Sequence, residues 1–241
     1  RAMWMIAMAT SSMVLPPAAA PVRPSSVNAA ELLRPPPSLE TPPPPSIIDD
    51  AALAAFRWQL QQQTGCTREE PGFEGMLNEL RDYQASHTVS EQTELSYDVM
   101  VALVGPIPWL VKIIASKQDW APGVLAWFTR LLLPFLVGEM TLTQRAAGDT
   151  AAGGVLVHRC KVLDESGCAG LCLNMCKRPT EKFFADEWGV PLHMQPNFET
   201  HECSLAFGVV PLPAESDPSI PQGCLTGCPL SRQQTTRQHV C

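Results

Sequence analysis

Cysteine thiolates are soft metal ligands and redox-active nucleophiles. The sequence concentrates them, with seven of its nine cysteines between residues 160 and 228. The run CKVLDESGCAGLCLNMC (160–176) spaces Cys168, Cys172 and Cys176 four residues apart, so a helix over 167–177 would project all three thiols from one face. Cys203 follows, and then Cys224 and Cys228, again at i and i+4. Thiols at i, i+4 and i+8 are too far apart at Cα to pair comfortably with each other, yet they can share an inorganic centre with a thiolate from elsewhere. The expected ligands are Cys168, Cys172 and Cys176 plus one of Cys203, Cys224 or Cys228, with Cys160 the outlying seventh. Four thiolates suit iron, as a non-haem ion or an iron–sulfur cluster; zinc is the alternative, and structural thiols or disulfides are the remaining reading. The C-x3-C spacing matches neither the C-x2-C knuckle of zinc ribbons nor the common ferredoxin runs.

Other chemistry is sparse. His193 and His201 flank the Cys203 segment and could replace one thiolate, whereas His158 reads as structural. In Pro196-Asn197-Phe198-Glu199, Glu199 is a weak candidate acid and Asn197 a donor, with a turn role the plainer reading for both. Asp164 and Glu165 precede the cysteine helix and suit its N-terminal dipole. No Ser-His-Asp constellation, phosphate-binding glycine loop or dinucleotide fingerprint is present, which argues against hydrolase, kinase and nicotinamide-dependent readings. A net charge of −7 without a basic block excludes nucleic-acid partners.

The elements that must position these residues divide into a helical part, 47–137, and a cysteine-rich part, 138–230, of one domain. Asp49 and Asp50 precede AALAAFRWQLQQQ, a helix that Gly65 stops, and Phe73 to Gln84 forms a second helix. Two apolar runs, Val99 to Ile114 and Ala121 to Gly138, are broken by prolines and one cation each, so neither is read as a membrane span. They are buried helices or a lipid-facing hairpin rich in Trp109, Trp120, Trp127 and Phe128. Glu139 to Gln144 and Gly154 to Val162 alternate as a β-hairpin, placing Cys160 on a strand. Thr180 to Trp188 is expected to be helical and His201 to Val209 a short strand. The fold class is α+β, with an N-terminal helical portion packed on a small β-structure and a cysteine-rich C-terminal half. Residues 1–46 hold eleven prolines and only two acidic residues, a disordered leader, and 231–241 read as a flexible tail. A start at Arg1 rather than Met is what a fragment or a truncated gene reading would give.

The run CKVLDESGCAGLCLNMCKRPTEKFF, followed by WGVPLHMQPNFETHECSLAFGVVPLP, resembles the cysteine-rich core of the plastid beta-carotene isomerases of strigolactone biosynthesis. The carrying features are the C-x7-C-x3-C-x3-C spacing, Lys177 with Pro179-Thr180 and Phe183-Phe184, Gly189-Val190-Pro191-Leu192, Pro196 to Glu199, and Cys203. The resemblance runs over about 138–229, thins over 50–137, and does not reach 1–46. It implies an iron-containing carotenoid cis/trans isomerase, converting all-trans- to 9-cis-beta-carotene, with Cys160, Cys168, Cys172, Cys176, Cys203, Cys224 and Cys228 as carried-over metal positions. It also implies a chloroplast location with a transit peptide, a carotenoid substrate, and peripheral contact with plastid membrane or plastoglobule. The rival readings are a metal- or disulfide-stabilised module without activity, and a thiol redox or cluster-transfer protein.

Overall fold

A computed structural model describes residues 47–115, 118–145 and 151–224. The expected leader (1–46) and tail (231–241), and with the tail Cys228 and Cys241, lie outside the described residues. The chain opens with α1 (Ile47–Thr64) and α2 (Gly72–Ser86). Helix α1 begins two residues before Asp49, so Asp49 and Asp50 occupy its first turn, where carboxylates favour the positive dipole end, rather than its cap. Gly65, at φ +68°, ends it by donating its N–H to the Gln61 carbonyl at 2.9 Å.

A buried carboxylate joins these two helices. Glu79 is fully buried and receives the Arg57 guanidinium at 2.8–3.1 Å, the Gln61 amide at 2.7 Å and the Arg68 backbone N–H at 3.0 Å. Arg57 also donates to the carbonyls of Glu70 and Arg68, which fixes the loop between the helices.

Helix α3 (Val89–Val104) starts at a capping box in which Thr88 and Glu91 satisfy each other's backbone N–H. The polar sequence of its first half hides it from a periodicity reading. It packs between α1 and the cysteine-bearing helix. The first apolar run breaks at Gly105-Pro106 into the end of α3 and α4 (Ile107–Ala115); the second breaks at Pro134 into α5 (Ala121–Leu132) and the single turn α6 (Pro134–Val137). Among the described residues no helix is long and apolar enough to cross a membrane.

Four antiparallel strands, β1 (Met140–Gln144), β2 (Ala152–Val157), β3 (Leu192–Pro196) and β4 (Cys203–Phe207), form a sheet in the order β1-β2-β4-β3. The expected hairpin is β1–β2, with a bulge at Thr143/Gln144 opposite Gly154. A Cβ at Gly154 would lie 2.2 Å from the Gln144 carbonyl oxygen, so only glycine lets the strands close there. Strand β2 ends at Val157, and Cys160 therefore sits at the N-cap of α7 (Lys161–Ser166), not on a strand. Its N–H donates to the His201 carbonyl at 2.7 Å, which pulls the chain out of the ladder and starts the helix.

From Ala169 to Trp188 the chain is one unbroken helix of alternating pitch: α8 (Ala169–Cys172), a π-turn Leu173–Lys177, α9 (Arg178–Phe183) and a second π-turn Phe184–Trp188. Gly189 closes it in the left-handed conformation. The core gathers Leu60, Met76, Leu77 and Val99 from the helices with Val155, Val157, Leu192, Leu205 and Phe207 from the sheet.

Removing the carboxylate in Glu79→Ala leaves the mostly buried Arg57 guanidinium without its counter-charge. Such a loss is expected to lower stability by about 3–5 kcal/mol, read as a shifted urea midpoint.

Candidate functional site: a thiol cluster beside a buried ion cluster

The long helix carries Cys172, Cys176, Lys177 and Glu181 towards the sheet. Lys177 is 1% exposed, and burying an ammonium is tolerable only when it is neutralised and fully hydrogen-bonded. Its charge is neutralised by Glu181 Oε1 at 2.7 Å and Asp217 Oδ2 at 2.9 Å, and its Nζ donates hydrogen bonds to Glu181 Oε1 and, at 2.5 Å, to the Met194 carbonyl. Glu181 in turn accepts the Met194 N–H at 2.8 Å. Strand β3 is an edge strand, and Met194 turns both backbone groups outward; one turn of helix satisfies both. Burial pushes the Glu181 carboxyl above its ordinary range, with Lys177 opposing, whereas hydrogen bonds from Ser219 and Lys177 hold Asp217 below it despite its burial. His193 is buried with Nδ1 unpaired, 3.7 Å from Glu181 Oε1, and burial and the nearby Lys177 charge lower its proton affinity.

The thiols gather on the other side of Lys177. Cys160, Cys172 and Cys203 are buried and Cys176 is half-buried. They lie close enough that negative charge on one raises the proton affinity of the next: Cys172 responds to Cys176, Cys203 and Cys160, and Cys203 to Cys176 and Cys160. Burial is the larger cause, pushing Cys172 and Cys203 well above an ordinary thiol and Cys176 up to about 12, with Lys177 pulling Cys172 and Cys203 the other way. At neutral pH the four are thiols, not thiolates. The structure thus brings together Cys172, Cys176 and Cys203 of the expected ligand set, and adds Cys160, which had looked the outlying one.

Cys168 is placed apart from them. It caps α8, where its Sγ accepts the Leu171 N–H at 3.4 Å, and it meets the Gln84 side-chain amide at 3.8 Å. Helix begins only after Cys168, whose backbone is extended, so the i, i+4 relation to Cys172 does not hold there, whereas Cys172 and Cys176 remain neighbours across the π-turn. Cys224 sits in a 3-10 turn, its carbonyl accepting from Asn174 at 3.3 Å, and Cys228 lies outside the described residues. Cys66, buried near the end of α1, is disulfide-bonded, an exception to the preference for thiols over disulfides.

The remaining candidates have local roles. Asn197 Oδ1 accepts the N–H groups of Glu199 and Thr200, a side-chain-capped turn that leaves Glu199 exposed. Asp164 accepts from Arg159 at 2.8 Å and pairs with His201 Nδ1 at 2.7 Å, contacts that hold its carboxyl below the ordinary range. His158 donates its backbone N–H to the Glu139 carbonyl.

Two clefts flank this centre. One, of 280 Å³, is lined by Lys177, Arg178, Glu181, Pro211, Leu212 and Ile220; the other, of 620 Å³, lies on the opposite sheet face along Leu156, Gln195, Ser204 and Glu199. Among the described residues no group of three or more His, Cys, Asp or Glu side chains is arranged to hold a metal ion. The thiols have the donor chemistry for iron, but as placed they do not close on a common point.

Residues 135–216, which supply the sheet, the long helix and all four clustered thiols, match the family described as "Beta-carotene isomerase D27-like, C-terminal". Over this segment, about a third of the chain, the sequence is similar to that family. A Medicago truncatula protein named "Beta-carotene isomerase D27, chloroplastic" is 24% identical over 191 residues, covering 78% of this chain and 76% of that protein. An Arabidopsis thaliana protein of the same name is 30% identical over 128 residues, covering 53% of this chain and 48% of its own length. The chain thus spans about half of the Arabidopsis relative and three quarters of the other. No solved structure matches it. The matched residues 135–216 overlap the stretch, about 138–229, over which the sequence resemblance runs.

Lys177, Glu181 and Asp217 were not singled out as a unit from sequence. Lys177 and Glu181 offer a legible signal, opposite charges at i, i+4 within an otherwise apolar helix. Asp217 comes from a turn 40 residues on and carries no pattern, so nothing local announces it.

Two outcomes follow for residues 135–216. Lys177→Met leaves Glu181 and Asp217 facing each other in the core and should lower stability by about 3–5 kcal/mol in urea unfolding at neutral pH. At pH 8, alkylation of Cys172, Cys176 and Cys203 should be far slower in the folded protein than in urea, with peptide mass mapping locating the protected sulfurs.

Proposed function

We propose that this chain is a plastid carotenoid cis/trans isomerase that converts all-trans-beta-carotene to the 9-cis form. The observation that carries the reading is the coincidence of the D27-like match with the buried core of the molecule: the matched residues supply the clustered thiols and all of the ion cluster but Asp217. Both relatives are named chloroplastic beta-carotene isomerases, which supports the reaction class and the plastid location.

Rotation about one double bond of a conjugated polyene requires that bond's order to fall and then be restored. Substrate and product have the same formula, so no cosubstrate is consumed and no net electron transfer occurs. What the chain supplies is surroundings: neutral thiols, a single ammonium compensated by two carboxylates, and an apolar core that excludes water. The 280 Å³ cleft beside Lys177 is the opening nearest to this centre, and it is at the lower limit for a ligand pocket. We assign it to a segment of the polyene rather than to its whole length.

Iron remains a proposal founded on donor type, with Cys160, Cys172, Cys176 and Cys203 as the donors. Binding would have to draw these sulfurs together and release their protons, so uptake should be favoured by raising pH.

The test is anaerobic incubation of the full chain with all-trans-beta-carotene, followed by chromatographic separation of isomers, with iron and sulfide content measured on the same sample. Accumulation of one cis isomer, the 9-cis form, is expected. An unchanged isomer profile with folded, iron-loaded protein would contradict the assignment.

A further inference from the structure

Helix α5 (Ala121–Leu132) is apolar on both faces. Ala121, Pro122, Leu125, Ala126 and Thr129 are buried against the sheet, the stripe expected of a core helix. The opposite stripe, Val124, Trp127, Phe128 and Leu131, follows the same i, i+3, i+4, i+7 spacing and faces outward, with Trp127 47% and Leu131 59% exposed. Leu132 and Trp120 extend it. On an ordinary surface helix these positions would be polar.

The charges around the stripe are arranged to leave it bare. Arg130 is the one charged residue of α5, and its Nε donates to the Met140 carbonyl at 3.2 Å, drawing the head towards the sheet. The helix has no carboxylate, in a chain whose net charge is −7. Trp127 and Phe128 stack edge to face at 5.0 Å, giving a rigid aromatic platform.

We infer that the outer face of α5 docks on the surface of a lipid bilayer. Twelve residues of helix present a strip roughly 18 Å by 10 Å, well short of the roughly 800 Å² per partner of a stable protein interface. A short helix with an acid-free face of indole, phenyl and branched aliphatic groups, and one cation at its rim, has the chemistry of an interfacial anchor. The inference rests on the isomerase reading to this extent: a carotenoid is dissolved in lipid, and a protein that takes it must meet that phase.

The test uses the full chain without carotenoid. Co-sedimentation is measured with vesicles of phosphatidylcholine and of phosphatidylcholine with phosphatidylglycerol, alongside quenching of protein tryptophan by brominated lipid. Binding and quenching are expected for the native chain, with Trp127→Glu or Leu131→Glu weakening binding by about tenfold or more. Both side chains are exposed, so unchanged unfolding midpoints should show the variants folded. Absence of binding, or equal binding by folded variants, would overturn the inference. So would a dimer that Leu131→Glu dissociates without affecting sedimentation, since the stripe would then join two copies. Isomerisation of detergent-dispersed all-trans-beta-carotene by Leu131→Glu reports separately on the enzymatic reading and should be retained; its absence in the native chain, with vesicle binding intact, would sink that reading alone.

Discussion

The structure depends on one buried cation. Lys177 faces two carboxylates, a carbonyl and no solvent, and the cluster stands only because each group answers another. The attraction does not make the fold more stable than an apolar core would, since desolvating such charges costs about as much as their pairing returns. Its consequence is register. Helix and sheet edge can meet in only one way if Glu181 is to receive the Met194 N–H while Lys177 reaches its carbonyl. Cys172 and Cys176 are fixed on the helix, and Cys203 begins the strand next to β3, so the same clasp brings the three sulfurs together. Asp217 adds the chain's last described turn to the arrangement.

The opposing carboxyl shifts give the clasp a built-in pH response. Glu181 binds its proton more tightly folded than unfolded, so its contribution is full at low pH and is lost as pH rises through its elevated folded value. Asp217 and Asp164 hold theirs less tightly, so their contributions are present at neutral pH and lost as pH falls through their depressed folded values. Within the Lys177 cluster the Glu181 and Asp217 contributions therefore change with pH in opposite directions, while Asp164 acts separately through Arg159 and His201.

Much of this was legible in sequence where a period was strong. The β1–β2 hairpin, the strand at Cys203, the stop at Gly65 and the α+β class all followed from alternation, turn residues and helix formers. What failed to read was fixed by long-range contacts. Cys160 belongs to the N-cap of α7 because His201 accepts its N–H, a partner 41 residues away. Cys168 departs from the row because the helix starts only after it, and spacing alone assumes that the helix already runs through it. Helix α3 was missed because its first half is polar and its start rests on a capping box. The two apolar runs left a choice between core and lipid surface; α5 has one stripe buried on the sheet and one apolar stripe facing outward.

We propose that the functional unit is the buried cluster of Cys160, Cys172, Cys176 and Cys203 beside Lys177 rather than the evenly spaced row of Cys168, Cys172 and Cys176. The most direct measurement compares Cys172→Ala with Cys168→Ala in isomerisation of all-trans-beta-carotene, both variants first shown to be folded. Loss of activity in Cys172→Ala with activity retained in Cys168→Ala is the predicted result. Full activity in Cys172→Ala, or equal loss in both, would contradict it.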